Sequence, residues 1–297
     1  METITNTSAS ELESLKHISE QHGKSFNSIL AFYLQERLLY RLSISNYRNK
    51  FVLRDVGTGP LSLTPGMEFL AKYISNDVQS IKKTFEKICA LPVDEDSVIF
   101  DVNGIHTERI KIDTGKEKIY VTIPASLENA ERLVQLAIGF GDVMVPKSQY
   151  LPYPCLLSNT IEGILTYSKE SMVSEKLENV ISSTNLKDRM EDFYHIYTLA
   201  ATRNFDGRVL WEAMFETFQK RGTSIERELS IFSPAFAKDQ ARDKQWKAFL
   251  SEVGCKESLG FHSVMKAIRN FLLPVYQAVI KEEEYFNKWN HEHQKWE

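Results

Sequence analysis

The sequence predicts an α+β fold, with a mixed-sheet lobe over residues 1–165 followed by a helical-bundle lobe over residues 166–297. Short apolar runs bounded by turn signals crowd the first half, and from about Ser168 the apolar period changes to that of a helix. Strands first and helices later is the order of an α+β architecture. With 297 residues and 42% hydrophobic content, the chain can bury two moderate cores.

Ser10 to His22 reads as a first helix ended by Gly23, and Ser25 offers an N-cap for a second helix through Leu42. Phe26, Ile29, Leu30, Tyr33, Leu34, Leu38 and Leu39 leave that second helix little solvent face, so it is expected between layers. Phe51 to Leu53 and Glu68 to Tyr73 read as neighbouring strands. Between them, Asp55 to Pro65 holds Gly57, Gly59, Pro60 and Pro65, too many breakers for a regular element. Asn76 to Ala90 is amphipathic, with Val78, Ile81, Phe85 and Ile88 at helical spacing. Val98 to Asp101, Lys118 to Ile123 and Arg132 to Phe140 follow as strands, and Arg132–Phe140 is expected to share one sheet with the strands at Phe51 and Glu68. Helices are then expected at Lys169–Ser183, Lys187–Arg203, Gly207–Arg221, Ala235–Val253 and Ser258–Lys281, with Pro274 as a kink. The tail from Lys281 to Glu297 reads as a continuation of that last helix.

Composition excludes several functions. A net charge of −4, from 36 basic and 40 acidic residues, rules out a uniformly basic nucleic-acid coat. Cys89, Cys155 and Cys255 lie far apart with no Cys-x-x-Cys spacing, which suits a reducing cytosol and implies no zinc site. No apolar run approaches the roughly 18 residues of a membrane span, so a cytoplasmic protein with no membrane partner is expected. None of the seven histidines forms a His-x-x-x-His pair, and no Gly-x-Ser-x-Gly nucleophile signature occurs.

Two charged positions break the helical pattern. Lys176 falls inside the apolar arc of Met172, Val173, Leu177 and Val180, where it must snorkel into water or meet an anion. Arg189 lies within the arc of Met190, Phe193, Tyr194 and Ile196, with Asp192 three residues on at its margin. The bland account of that spacing is an intrahelical ion pair. A shared inter-lobe cleft for Lys176, Arg189 and Asp192 is the functional expectation.

A family resemblance rests on seven stretches that occur in order. They are Phe51-Val52-Leu53-Arg54, Phe69-Leu70-Ala71-Lys72, Ile138-Gly139-Phe140-Gly141-Asp142, Tyr153-Pro154, Ser174-Glu175-Lys176-Leu177-Glu178, Lys187-x-Arg189-x-x-Asp192-Phe193-Tyr194 and Phe218-x-x-Arg221-Gly222-Thr223. From about Phe26 to Leu250 the chain thus resembles the AbiEii-like nucleotidyltransferase toxins of abortive-infection, type IV toxin–antitoxin systems. The resemblance implies a nucleotidyltransferase-like α/β lobe and a helical lobe, with Mg²⁺ and a nucleoside triphosphate as cofactor and substrate. It also implies RNA as acceptor and a cognate antitoxin as partner. Within it, Glu175, Lys176, Lys187 and Arg189 correspond to nucleotide contacts, and Lys176, Asp192 and Glu68 to catalytic positions.

The departures bear on chemistry. The resemblance puts Asp-x-Asp on the second strand, where side chains at i and i+2 share a face and would point together at two metal ions. This chain has Gly66 and Glu68 there, and Ala137 at the third acid. The glycine-rich phosphate turn after the first strand is replaced by Asp55-Val56 and a shortened loop. Glu68 is the one remaining metal acid. Three classes stay open: a catalytically impaired member, an active Mg²⁺-dependent transferase with relocated carboxylates at Asp55 or Asp142, and a non-catalytic binding or regulatory partner.

Overall fold

The computed structural model of the chain describes residues 3–54, 66–93, 97–111, 117–142, 144–157, 161–183, 186–226, 229–253, 255 and 259–297. They form two compact units, Met1–Gly141 with Ser148–Tyr167, and Asp142–Lys147 with Ser168–Glu297.

The first unit opens with α1 (Thr3–His22), which stops at Gly23, where φ is +61° and a side chain would be strained. The Ser25 hydroxyl then accepts the Ser28 amide at 3.2 Å and starts α2 (Phe26–Ile44). Burial on nearly every side of α2 follows from its apolar sequence, and it takes Glu36, Arg37 and Arg41 into the interior as well. Next come β1 (Phe51–Leu53), β2 (Met67–Ala71), α3 (Val78–Cys89), β3 (Val98–Phe100), β4 (His106–Lys111), β5 (Glu117–Leu127), β6 (Ala130–Phe140), β7 (Gln149–Tyr153) and β8 (Ile161–Thr166). The sheet runs β3-β5-β6-β2-β1-β8-β7, with β4 also paired to β5. It is mixed, because β2–β6 and β1–β8 are parallel while the other pairs are antiparallel. The strands at Phe51, Glu68 and Arg132–Phe140 therefore share one sheet, as the sequence predicts. One face is packed into the core by Met67, Phe69, Ile119, Val121, Leu136 and Ile138. The alternate residues of β2, β5 and β6 form the other face.

Three strands of this unit escape the sequence pattern. β4, His-Thr-Glu-Arg-Ile-Lys, is polar and largely exposed, so it lacks the apolar alternation of a half-buried strand. β7 carries Pro152, a demoting signal, and lies at the end of the sheet where a missing donor is tolerated. β8 is interrupted by Gly163.

In the second unit, α4 (Lys169–Ser182) is followed by a 3₁₀ turn at Leu186–Arg189, then α5 (Met190–Thr202), β9 (Phe205–Asp206), α6 (Gly207–Arg221), α7 (Pro234–Ala237), α8 (Gln240–Glu252), α9 (Phe261–Lys281), β10 (Lys288–Asn290) and β11 (Lys295–Trp296). The helix expected over Ala235–Val253 is two helices. Asp239 stands between them and accepts the Arg242 amide at 2.9 Å, an N-cap that starts α8 afresh. The tail does not continue α9. At Glu282 the backbone turns left-handed, and β9, β10 and β11 make a small antiparallel sheet. Two indoles fix this sheet: Trp289 Nε1 donates to the Ala200 carbonyl at 2.7 Å, and Trp296 Nε1 to the Phe271 carbonyl at 2.9 Å.

Candidate functional site

On the face of the first unit's sheet opposite its apolar core, charged and small residues line up across the strands. β2 and β6 pair with Glu68 opposite Ala137, and β5 and β6 pair with Tyr120 opposite Ala137. Lys118, two residues before Tyr120, shares that face with Ala137, Gly139 and Glu68. The Lys118 ammonium donates to Glu68 Oε1 at 2.7 Å. This ion pair spans strand β6, a separation of about 9–10 Å between the backbones of β5 and β2 at two strand spacings. Only small residues on β6 leave the long lysine stem a lane, and Ala137 and Gly139 are the two residues there. On the other side of Glu68, Arg54 follows β1, with its amide bonded to the Glu68 carbonyl at 2.8 Å. Its Nε lies 3.6 Å from Glu68 Oε1, and its guanidinium lies over the Tyr167 ring at 5.2 Å. Glu68, the acid that the sequence leaves for a metal, thus sits between a lysine and an arginine.

The remaining positions of the expected metal set do not supply ligands. Gly66 has φ +155°, a backbone that L side chains rarely adopt, so an aspartate there would be strained although no atom stands in its way. Ala137 carries no oxygen. A Mg²⁺ ion needs several oxygens at about 2.0–2.1 Å, and among the described residues no group of three or more His, Cys, Asp or Glu side chains is arranged to hold a metal. The residues of this face do not fit the divalent ion that the resemblance implies. Asp55 and the loop through Pro65 lie outside the described residues.

Asp142, the other candidate for a relocated ligand, is committed elsewhere. It belongs to the second unit, where its Oδ1 lies 3.4 Å from Arg221 Nη2. Glu175 and Glu178, three apart on one face of α4, meet the same guanidinium: Glu175 Oε1 at 2.8 Å from Nη2, and Glu178 Oε2 in close contact with Nη1. Asn179 Oδ1 accepts from Nη1 at 2.9 Å, and the Thr223 hydroxyl donates to Glu178 Oε1 at 2.6 Å. The left-handed cap at Gly222, φ +67°, ends α6 immediately after Arg221 and leads the chain to Thr223. Arg221 is therefore the hub of a nearly buried cluster with three carboxylates around one cation. Its motif, Phe218-x-x-Arg221-Gly222-Thr223, carries no role by itself in the sequence. The signal was there, in Glu175 and Glu178 at i and i+3 and in an arginine just before a C-cap glycine.

Lys176 points to a different partner from its neighbour Glu175. Its ammonium is 3.4 Å from Asp192 Oδ1, and Arg189 Nη1 is 3.8 Å from Asp192 Oδ2. The lysine meets a carboxylate within its own unit, and only 19% of its side chain is exposed, so it does not snorkel into water. Lys187 is exposed on the 3₁₀ turn that precedes α5. Of the expected site residues, Lys176, Arg189 and Asp192 come together. Glu175 joins the Arg221 cluster, and Glu68 joins Lys118 and Arg54. Lys118 and Arg54 were not foreseen, since a lysine on an alternating strand resembles any solvent-facing residue until its register is known.

No helix among the described residues is long and apolar enough to cross a membrane. No curated protein matches the chain. Two solved structures are similar to it: an H. pylori protein named as a candidate nucleotidyltransferase, with a TM-score of 0.48 at 16% identity over 88% of this chain and 100% of that one, and JHP933 from Helicobacter pylori, with a TM-score of 0.45 at 13% identity over 87% of this chain and 95% of that one. A family model described as nucleotidyl transferase AbiEii toxin, type IV TA system, matches residues 61–270. That match spans more than two thirds of the sequence and includes Glu68, Lys118, Ala137, Glu175, Lys176, Asp192 and Arg221, and the chain belongs to the AbiEii nucleotidyltransferase toxin family of type IV toxin–antitoxin systems.

Proposed function

We propose that this chain is a family member in which metal-dependent nucleotidyl transfer is lost, and that it persists as a binding module of a toxin–antitoxin system. The family implies a nucleotide substrate and an antitoxin partner; transfer to RNA is the step we read as abolished. The observation that carries this reading is the ion pair of Glu68 with Lys118, beside Arg54 and across Ala137. A phosphoryl-transfer centre depends on positioned positive charge that neutralises the triphosphate and the attacking oxygen. Here the last acid of the metal edge is already neutralised by side chains, and the two other acid positions hold Gly66 and Ala137.

Under the same reading, Lys176, Lys187 and Arg189 keep a phosphate-binding role. Lys176 and Arg189 both face Asp192, so a polyphosphate would compete with that carboxylate for two cations already held in place. Binding is then expected to be weak. Asp192 would hold both cations in orientation, and Glu175 would be fixed by Arg221.

The test is incubation of the protein with each labelled nucleoside triphosphate, Mg²⁺ and total RNA, alongside calorimetric titration of triphosphate without metal. No label should enter RNA, and weak triphosphate binding should survive in the presence of a chelator and drop in Lys176→Ala. Robust Mg²⁺-dependent labelling of RNA by the wild-type protein would overturn the reading and return attention to Asp55.

A further inference from the structure

We infer that Lys118 is a resident counter-cation that has taken the electrostatic place of a divalent ion beside Glu68, so that the chain itself closes this sheet face to metal. The inference rests on the reading that metal-dependent transfer is lost, and goes beyond it by naming the residue that makes the loss stable. A carboxylate left behind when its metal partners vanish, flanked by a buried sheet, would be an uncompensated charge at a partly desolvated position. Glu68 is not in that condition. Its Oε1 accepts the Lys118 ammonium at 2.7 Å, a charge-assisted hydrogen bond with a short distance for a lysine pair.

Geometry ties the replacements together. Lys118 reaches Glu68 only by passing over β6, and the residues facing it there are Ala137 and Gly139. An aspartate at position 137 would place a carboxylate between Lys118 and Glu68, where it would compete for the ammonium. A larger apolar side chain would block the lane. Loss of the third acid and capture of Glu68 by lysine are therefore one change seen on three strands. Arg54 completes the row from the opposite side, held by its backbone bond to Glu68 and its position over Tyr167. A second cation at 3.6 Å opposes entry of a divalent ion by direct repulsion.

The experiment is a double-mutant cycle with Lys118→Met and Glu68→Gln, read by thermal melting in chelator and in excess Mg²⁺ or Mn²⁺, with Lys118→Glu as a charge-reversal arm. Wild-type Tm should be the same with and without divalent ion. Each single mutant should melt a few degrees lower, and the double mutant should lose less than the two losses added, because the second change removes a group whose partner is already gone. Lys118→Glu should melt lowest in chelator and recover on adding Mn²⁺, since two carboxylates would then meet across Ala137, and adding Glu68→Gln should abolish that recovery. Strict additivity of the cycle would overturn the inference, as would a wild-type Tm that rises with Mn²⁺ and ceases to do so in Glu68→Gln. If Lys118→Glu does not fold, the Met and Gln cycle decides alone. Nucleotide labelling of RNA by the wild-type protein would sink the proposed function, whereas additivity in an inactive protein would sink only the role of Lys118.

Discussion

Glu36 shows how a single residue can be more informative than its neighbours. It lies inside α2 at 1% exposure, and both carboxyl oxygens accept the Leu156 amide, at 3.0 and 3.2 Å. Burial pushes its pKa up to about 8, against the downward pull of the Leu156 amide and of Arg37. A carboxyl whose folded pKa lies above its unfolded one stabilises the fold fully below about 4.5 and loses that contribution as pH rises to about 8. Chemical denaturation of the wild type is thus expected to show stability falling between pH 5 and pH 8 by a few kcal/mol, at about 1.4 kcal/mol per pKa unit. Glu36→Gln should flatten that slope, and an unchanged slope would refute the assignment. Arg221 makes the complementary case. Its removal would leave Glu175, Glu178 and Asp142 facing one another with little water to screen them. Arg221→Ala should cost about 3–5 kcal/mol in urea denaturation, the usual penalty for orphaning buried charge. Arg221→Lys should recover little of it, because a point charge cannot serve Nη1 and Nη2 partners at once.

At the scale of elements, what was legible in the sequence was whatever local chemistry decides. Ser25 was readable as a cap because a short polar side chain before an apolar period has one good use, and it accepts an amide three residues on. The periodicity of α3 and the change of period at Ser168 were equally local. Register was not local. That Lys118 faces Glu68 depends on β5 pairing with β6 and β6 with β2, which no window of sequence contains. The polar β4 was missed because its partner β5, and not its own pattern, makes it a strand. In the same way, the helix read over Ala235–Val253 was continuous in its apolar period, while its break lay in one capping aspartate. Asp239→Ala should therefore cost about 0.5–2 kcal/mol, with amide exchange accelerating first at Arg242, which gives up its bond to Oδ1. Uniform acceleration along α8 without a change at its start would argue that packing of Trp246, and not the cap, begins the helix.

For the molecule as a whole, the two units each carry a separate apolar cluster, one built on the sheet and α2, the other on α5, α6 and α9. The C-terminal segment matters out of proportion to its length because it seals the second of these. Phe271 of α9 is fully buried, and its ring lies 5.0 Å from Trp289 and 5.7 Å from Trp296, stacked on the latter at 6°. Trp289 is itself 1% exposed and ties β10 to the end of α5 through the Ala200 carbonyl. A chain truncated before Lys288 loses both indoles, uncovers Phe271 and Phe205, and leaves β9 without its partner β10. Deleting one buried Trp side chain typically costs about 3–5 kcal/mol, which approaches the whole stability of a domain of this size. Hydrogen exchange of the truncated protein should therefore show loss of protection across α5, α6 and α9, with the strands from Phe51 to Thr166 retaining theirs. Lys176, Arg189 and Asp192 are carried by α4, α5 and the turn between them, so the same truncation should also abolish the weak triphosphate binding proposed above. Retained binding together with full protection of α9 would show that the tail is an appendage, and that the second core closes without it.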